Sequence, residues 1–279
     1  MLRKGIVVAL AGLALASTAA AQQAAWKFRW QTGQVLTYRV EQITTAAEEA
    51  GPNKSSTTSK LNLLKRWQVL QVDAAGIATV QLALASLRLE TTTPGGETII
   101  FDSANPDKSS PELREQMQRY VNTPLAVLRV DGNGRVVEVK ESKFGPASRY
   151  QSELPFVIAL PNQAPQPGQF WERSYVITLD PPHGAGEKYD AVQKYTCAQL
   201  TGGAATITLT TDLKSKPPSA ADEVPLLQFL PQGEVVFDVQ AGILRSARLR
   251  IDKEVTGHQG EGSRYRFQSS YTEEYVPGR

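Results

Sequence analysis

Through most of this chain, apolar side chains return at every second position. They do so at Leu36, Tyr38 and Val40, at Ala78, Val80, Leu82 and Leu84, and at Trp171, Tyr175, Ile177 and Leu179. The same rhythm resumes at Ile243, Ala247, Leu249 and Ile251, and again at Tyr265, Phe267 and Tyr271. Successive side chains of a strand point to opposite faces, so a period of two builds one buried and one solvated face and cannot line one side of a helix. These stretches are also rich in Val, Ile, Thr and aromatic residues, which fit a pleated, half-buried surface. The pattern predicts a mainly β fold, either one large curved antiparallel sheet or two similar β lobes.

One segment departs from that rhythm. In SSPELREQMQRYVN, Leu113, Met117, Tyr120 and Val121 stand at i, i+4, i+7 and i+8, which predicts one short amphipathic helix near residues 110–121. Pro111 suits its first turn, and Ser109 with Glu112 has the spacing of a capping box. The helix is expected to lay its apolar stripe on a sheet. In SRYQSELPFVIALP, Pro155 and Pro161 leave room for only a further helical turn.

The N-terminus carries Arg3 and Lys4, an apolar run from Gly5 to Ala16, and small residues ending at Ala21. That is the grammar of a secretory signal peptide over residues 1–21, cleaved after Ala21, because the apolar run is too short to span a bilayer. Cleavage predicts a periplasmic or secreted protein with no membrane span in the mature chain. The full chain has 30 basic and 28 acidic residues; losing Arg3 and Lys4 leaves 28 of each. A neutral chain lacks the positive field that nucleic acid or an anionic membrane would select. The single cysteine, Cys197, cannot close an intramolecular disulfide, so stability must come from the core.

The chain divides into a first β half over residues 22–150, holding the helix, and a second over residues 151–279, which share a faint internal duplication. Gly33-Gln34 parallels Gly168-Gln169, and Gly96-Glu97 through Phe101-Asp102 parallels Gly233-Glu234 through Phe237-Asp238.

The most motif-like stretch is VLRVDGNGRVVEV at residues 127–139. A calcium loop beginning at Asp131 would need an oxygen ligand where Arg135 stands and a glycine where Val136 stands, so that reading fails. A hairpin accounts for it: Asp131 caps the turn and Gly134 supplies a positive φ, as Asp73 and Gly76 do in VDAAGIATV. No other catalytic or metal constellation emerges. His183 and His258 lie in Gly-rich turns without ligand-spaced partners and are expected to be solvated. Asp102, Asp238, Glu138 and Glu172 are the acids that a two-carboxylate hydrolase would draw on, though strand-end capping suits the two aspartates better. Cys197 is expected to be buried and inert, the arginines at 245, 248, 250, 264 and 266 to form an ion-paired outer face, and Trp26, Trp30, Trp67 and Trp171 to anchor the core.

LPNQAPQPGQFWERSY, with its Pro-rich approach and a Trp opening a strand, and IIFDSANPD followed by a helix and LAVLRVDGNGRVVEV resemble segments of a family of exported bacterial β-rich proteins of unknown function. That likeness implies no activity. The plan of a curved sheet with a helix against its concave side is similar to the lipoprotein-carrier folds of the bacterial envelope, which implies a concavity that holds acyl chains. The resulting expectation is a non-catalytic protein, without cofactor, that binds a hydrophobic or lipid-like ligand in a groove lined by Leu113, Met117 and Tyr120. An envelope scaffold that engages a protein partner and a carboxylate-dependent hydrolase are the alternatives.

Overall fold

The computed structural model describes residues 25–278, so the expected signal peptide lies outside the described residues. The first half contributes β1 (Val35–Ala50), β2 (Asn53–Val72), β3 (Ala78–Thr92), β4 (Thr98–Asp102), α1 (Pro111–Met117), β5 (Pro124–Val130) and β6 (Val136–Ser142). A connection carrying α2 (Arg149–Ser152) leads to β7 (Phe170–Leu179), β8 (Glu187–Thr201) and β9 (Ala204–Leu213). Then come α3 (Ala220–Glu223), a 3-10 stretch (Val224–Phe229), β10 (Gln232–Asp238), β11 (Ile243–Thr256) and β12 (Arg264–Val276).

All twelve strands among the described residues form one sheet, in the order β6-β5-β3-β2-β1-β12-β11-β10-β9-β8-β7, with β4 beside β3. Every pairing along this path is antiparallel. The two halves are therefore consecutive parts of a single sheet, joined where β1 meets β12. Residues of β1, β2, β7, β8, β11 and β12 line one interior pocket, and the two edge strands β6 and β7 line one cleft. Accumulated strand twist has curled the sheet until its edges face each other.

What fills the curl is the connection between those edges. Phe156, Ile158 and Leu160 are fully buried, and the Phe156 ring lies 5.1 Å from Phe28, 5.3 Å from Trp30 and 5.4 Å from Trp67. Two prolines deny this segment a helix, so its backbone needs other partners. Asn133 supplies several: its Nδ2 donates to the carbonyls of Leu160 and Pro161, both at 2.9 Å, and its own carbonyl accepts from Leu160 N–H at 2.8 Å. The Trp171 indole donates to Ala159 at 2.7 Å. Asn133 thus clamps the plug, while Asp131 Oδ1 accepts from the N–H groups of Asn133 and Arg135, as Asp73 does from Ala75 and Ile77.

Helix α1 is present but is held differently from the expected capping box. Ser110 is its N-cap and makes no side-chain cap bond. Ser109 and Ser110 turn their hydroxyls back to accept from Asp102 N–H at 2.8 Å and Ile100 N–H at 3.3 Å. The helix is thus fastened to β4 through its first residues.

The duplication has one close structural counterpart and one correction. Gly33 and Gly168 share φ near +85° (+83° and +87°). Each follows the same turn, in which Gln34 or Gln169 returns its side-chain oxygen to the N–H three residues back. By position in the sheet, however, β10 answers to β5, because both lie against the start of the third strand of their half; β4 has no such counterpart. Asp102 and Asp238 nonetheless do the same work, each closing an Asx turn and binding an arginine.

Gly233 in β10 faces the β11 backbone so closely that an added Cβ would overlap the Arg248 carbonyl oxygen and stand 2.9 Å from Leu249 Cα. Gly233→Ala is expected to destabilise by about 3 kcal/mol, seen as an earlier urea midpoint, because neither obstacle is a side chain that can swing away.

Candidate functional site

The interior pocket has a volume of about 410 Å³. Its apolar side is made by Leu154 and Val157 of the plug, Phe229 of the 3-10 stretch, and Leu249 and Ile251 of β11; its polar side by Lys65, Arg173, Gln193 and Tyr271. The strand register explains the polar side. Lys65 precedes Trp67 by two residues, Arg173 stands between Trp171 and Tyr175, and Gln193 between Ala191 and Tyr195, so all three share the inward phase of their strands.

Arg173 donates to the Ser152 carbonyl at 3.1 Å and to Gln193 Oε1 at 2.8 Å, and its guanidinium lies 4.3 Å from the Tyr175 ring centre. Desolvation lowers its pKa, which marks a cation brought far from water. Burial pushes the Tyr175 and Tyr195 hydroxyls up to about 12, so both remain neutral donors at physiological pH. Glu273, partnered by Lys65 and Tyr271 of the pocket wall, is fully buried; Lys65 Nζ lies 2.6 Å from its Oε1, at an angle outside that of a well-formed hydrogen bond, and Tyr271 donates to its Oε2 at 2.7 Å. Burial, reinforced by the Glu273 charge, raises the hydroxyl pKa values of Tyr38 and Tyr271 well above their usual value.

The residues expected to line a groove are elsewhere. Leu113 and Met117 on α1 and Tyr120 just beyond it are half-buried, Tyr120 against Phe144 at 4.5 Å between ring centres, and none lines the pocket or the cleft between β6 and β7. A helix only seven residues long, anchored to β4, does not reach across the sheet. The signal that would have found the site is the opposite of an apolar stripe: a charged or amide side chain in the inward phase of an alternating strand.

The four candidate acids divide. Glu138 and Glu172 both line the cleft between the sheet edges, whereas Asp102 and Asp238 are caps. Burial would raise their pKa values, but the Asn105 side chain, the Ala104 N–H and Arg88 hold Asp102 below the usual carboxylate value. The Ala241 N–H and Arg245 do the same for Asp238. A depressed folded pKa stabilises above the unfolded value, roughly 3.9, and that contribution disappears as pH falls through the folded value. The double variant D102N/D238N should therefore be less stable than the parent at pH 7, with the gap in urea midpoints narrowing toward pH 3.

His258 corrects an expectation. Its side chain is only 5% exposed and its Nε2 lies 2.8 Å from Glu48 Oε1, because the turn between β11 and β12 folds against the end of β1. His183 is exposed in its loop. Cys197 is buried, and burial pushes its thiol up. Arg245, Arg248 and Arg266 pair on the outer face with Asp238, Glu274 and Asp252. Among the described residues no group of three or more His, Cys, Asp or Glu could hold a metal ion, and no helix is long and apolar enough to cross a membrane.

No protein-family model matches the sequence, and no curated protein matches it. Among solved structures, one of lipovitellin with its lipid–protein interactions matches 88% of this chain at 11% identity and a TM-score of 0.50. This chain spans 25% of the lipovitellin chain. DynF from the dynemicin biosynthesis pathway of Micromonospora chersina matches 98% of this chain and 94% of its own at 7% identity, with a TM-score of 0.23. An outer membrane channel from Pseudomonas putida F1 matches 90% of this chain and 98% of its own at 8% identity, with a TM-score of 0.21. Of these three only the first likeness is close enough to carry an argument, and what it shows is a shared fold alone, here a large antiparallel β-sheet curved around an interior.

Proposed function

We propose that this protein is an exported, non-catalytic binder of a small amphiphile with an anionic head, held in the interior pocket. The observation that carries the reading is the division of that pocket into an apolar wall and a polar wall with Arg173 and Lys65 on it. An acyl or similar tail would lie against Leu154, Val157, Phe229, Leu249 and Ile251, and its head would meet Arg173, beside the neutral donor Tyr175. About 410 Å³ stands near the lower end of ligand pockets, roughly 300 to 1,000 Å³, which suits one short chain and not a two-chain lipid. The curved fold shared with lipovitellin is compatible with such a role, and the signal-like N-terminal sequence supports export.

The test is titration of the purified protein with a fluorescent fatty acid, alongside native mass spectrometry. The parent should take up one equivalent. Arg173→Gln should weaken uptake by ~10-fold or more, the cost of a charge-assisted hydrogen bond, and Leu154→Trp should block it. No uptake by the parent would sink the proposal. Export is tested separately: N-terminal sequencing of the mature protein should begin at Gln22.

A further inference from the structure

The cleft between β6 and β7 is lined by Arg135, Val136, Val137, Glu138 and Val139 on one bank and by Glu172, Arg173, Ser174, Tyr175 and Val176 on the other. Five consecutive residues on each bank means both faces of both strands border it. A cleft lying on one face of a sheet would touch alternate residues only. This one is a slot of about 820 Å³ between two strand edges, floored by Ala147, Ser148, Tyr150 and Leu154. Among the described residues β6 pairs only with β5, and β7 only with β8.

Two features of the sheet specify what fits there. The path from β6 to β7 has eleven strands and ten antiparallel steps, so β6 and β7 run in the same sense. A single strand between them would be antiparallel to both and would close the barrel with unbroken alternation. The repeated strand order gives the second. Each half is a five-stranded meander, β1-β2-β3-β5-β6 and β7-β8-β9-β10-β11. Between the first strand of one and the last of the other, β1 and β11, lies β12, antiparallel to both. The slot lies between the first and last strands of the complementary pair, β7 and β6. The chain after β11 becomes β12; the chain after β6 turns inward as the plug and leaves the equivalent position to another segment.

We infer that the slot between β6 and β7 accepts one extended peptide strand of a partner protein, antiparallel to both edges. Side chains at alternate positions would face inward to Val136, Val139 and Leu154 and should be apolar. Those between them would face outward past Glu172 and past Glu138, which Arg129 already pairs at 3.3 Å, and should be basic. β12 opens with this pattern: Tyr265 and Phe267 inward, Arg264 and Arg266 outward, Arg266 on Asp252. The occupant must have both of its edges free. Every strand among the described residues already has a neighbour, so a strand from another copy's sheet does not meet that requirement.

The test uses the full mature protein and a fluorescently labelled synthetic peptide with the sequence of residues Arg264–Tyr271, followed by polarisation. Two further peptides carry backbone N-methyl groups on alternate residues, one in each phase. A strand inserted between two edges uses the N–H groups of both phases, so both methylated peptides should bind at least ~10-fold more weakly. The E138Q/E172Q protein should also bind the unmethylated peptide several-fold more weakly. Loss in one phase only would overturn the inference in favour of pairing with a single edge, and loss in neither would reduce it to side-chain adsorption. No binding of the parent peptide at millimolar concentration, or dimerisation of the protein through this slot, would equally overturn it. None of these outcomes depends on the fatty acid titration.

Discussion

Phe156→Ala is expected to lower stability by about 3–5 kcal/mol, read as a large fall in the urea midpoint with little change in slope. The residue is fully buried, and its ring lies within 5.1 to 6.1 Å of those of Phe28, Trp30, Trp67 and Tyr38. These neighbours come from β1 and β2, which the sheet fixes, and from the N-terminal segment, which is tied to the Gly132 and Gly242 carbonyls through the N–H groups of Phe28 and Arg29, so they cannot collapse into the space. The cavity therefore persists, and the cost sits toward the upper end of the range. Phe156→Leu keeps most of the volume and should recover more than half of the loss. An effect of Phe156→Ala below 1 kcal/mol would mean that the plug is not part of the folded core.

The weight carried by this segment was the least legible part of the fold. Period-two alternation identified the strands well, because burial of one face leaves its mark directly on residue order, and the Asp-x-x-Gly turns marked two hairpins. Nothing in SRYQSELPFVIALP announces a plug. An irregular segment has no period, and its burial depends on Asn133, Trp171 and Arg173 satisfying its carbonyls from far along the chain. The helix misled for a related reason. Leu113, Met117 and Tyr120 have helical spacing, but spacing tells which face is apolar and not how far the helix reaches. The pocket was hidden by the opposite effect: Lys65, Arg173, Gln193 and Glu273 occupy inward positions where apolar residues were expected, and such positions pass for surface when read singly. Their phase relative to Trp67, Trp171, Tyr195 and Tyr271 is what betrays them.

The pair of Lys65, on the pocket wall, with the buried Glu273 allows the sharpest test of that phase argument. Lys65→Met should cost about 3–5 kcal/mol, because it leaves Glu273, fully buried, with Tyr271 as its remaining donor. Glu273→Met should cost less. The Lys65 side chain is 16% exposed and opens on the pocket, so its ammonium can turn toward water. The double variant K65M/E273M removes both charges and gains apolar contact, while the Tyr271 hydroxyl loses its acceptor. Those two changes, each of about 1–3 kcal/mol and opposite in sign, should bring the double variant near the parent and well above the sum of the singles. Additive single effects in urea unfolding would show that the two groups do not interact. Recovery of stability in the double variant, with fatty acid uptake reduced, would separate the two roles of Lys65: as the partner of a buried carboxylate it is dispensable together with that carboxylate, whereas as a cation on the pocket wall it is not.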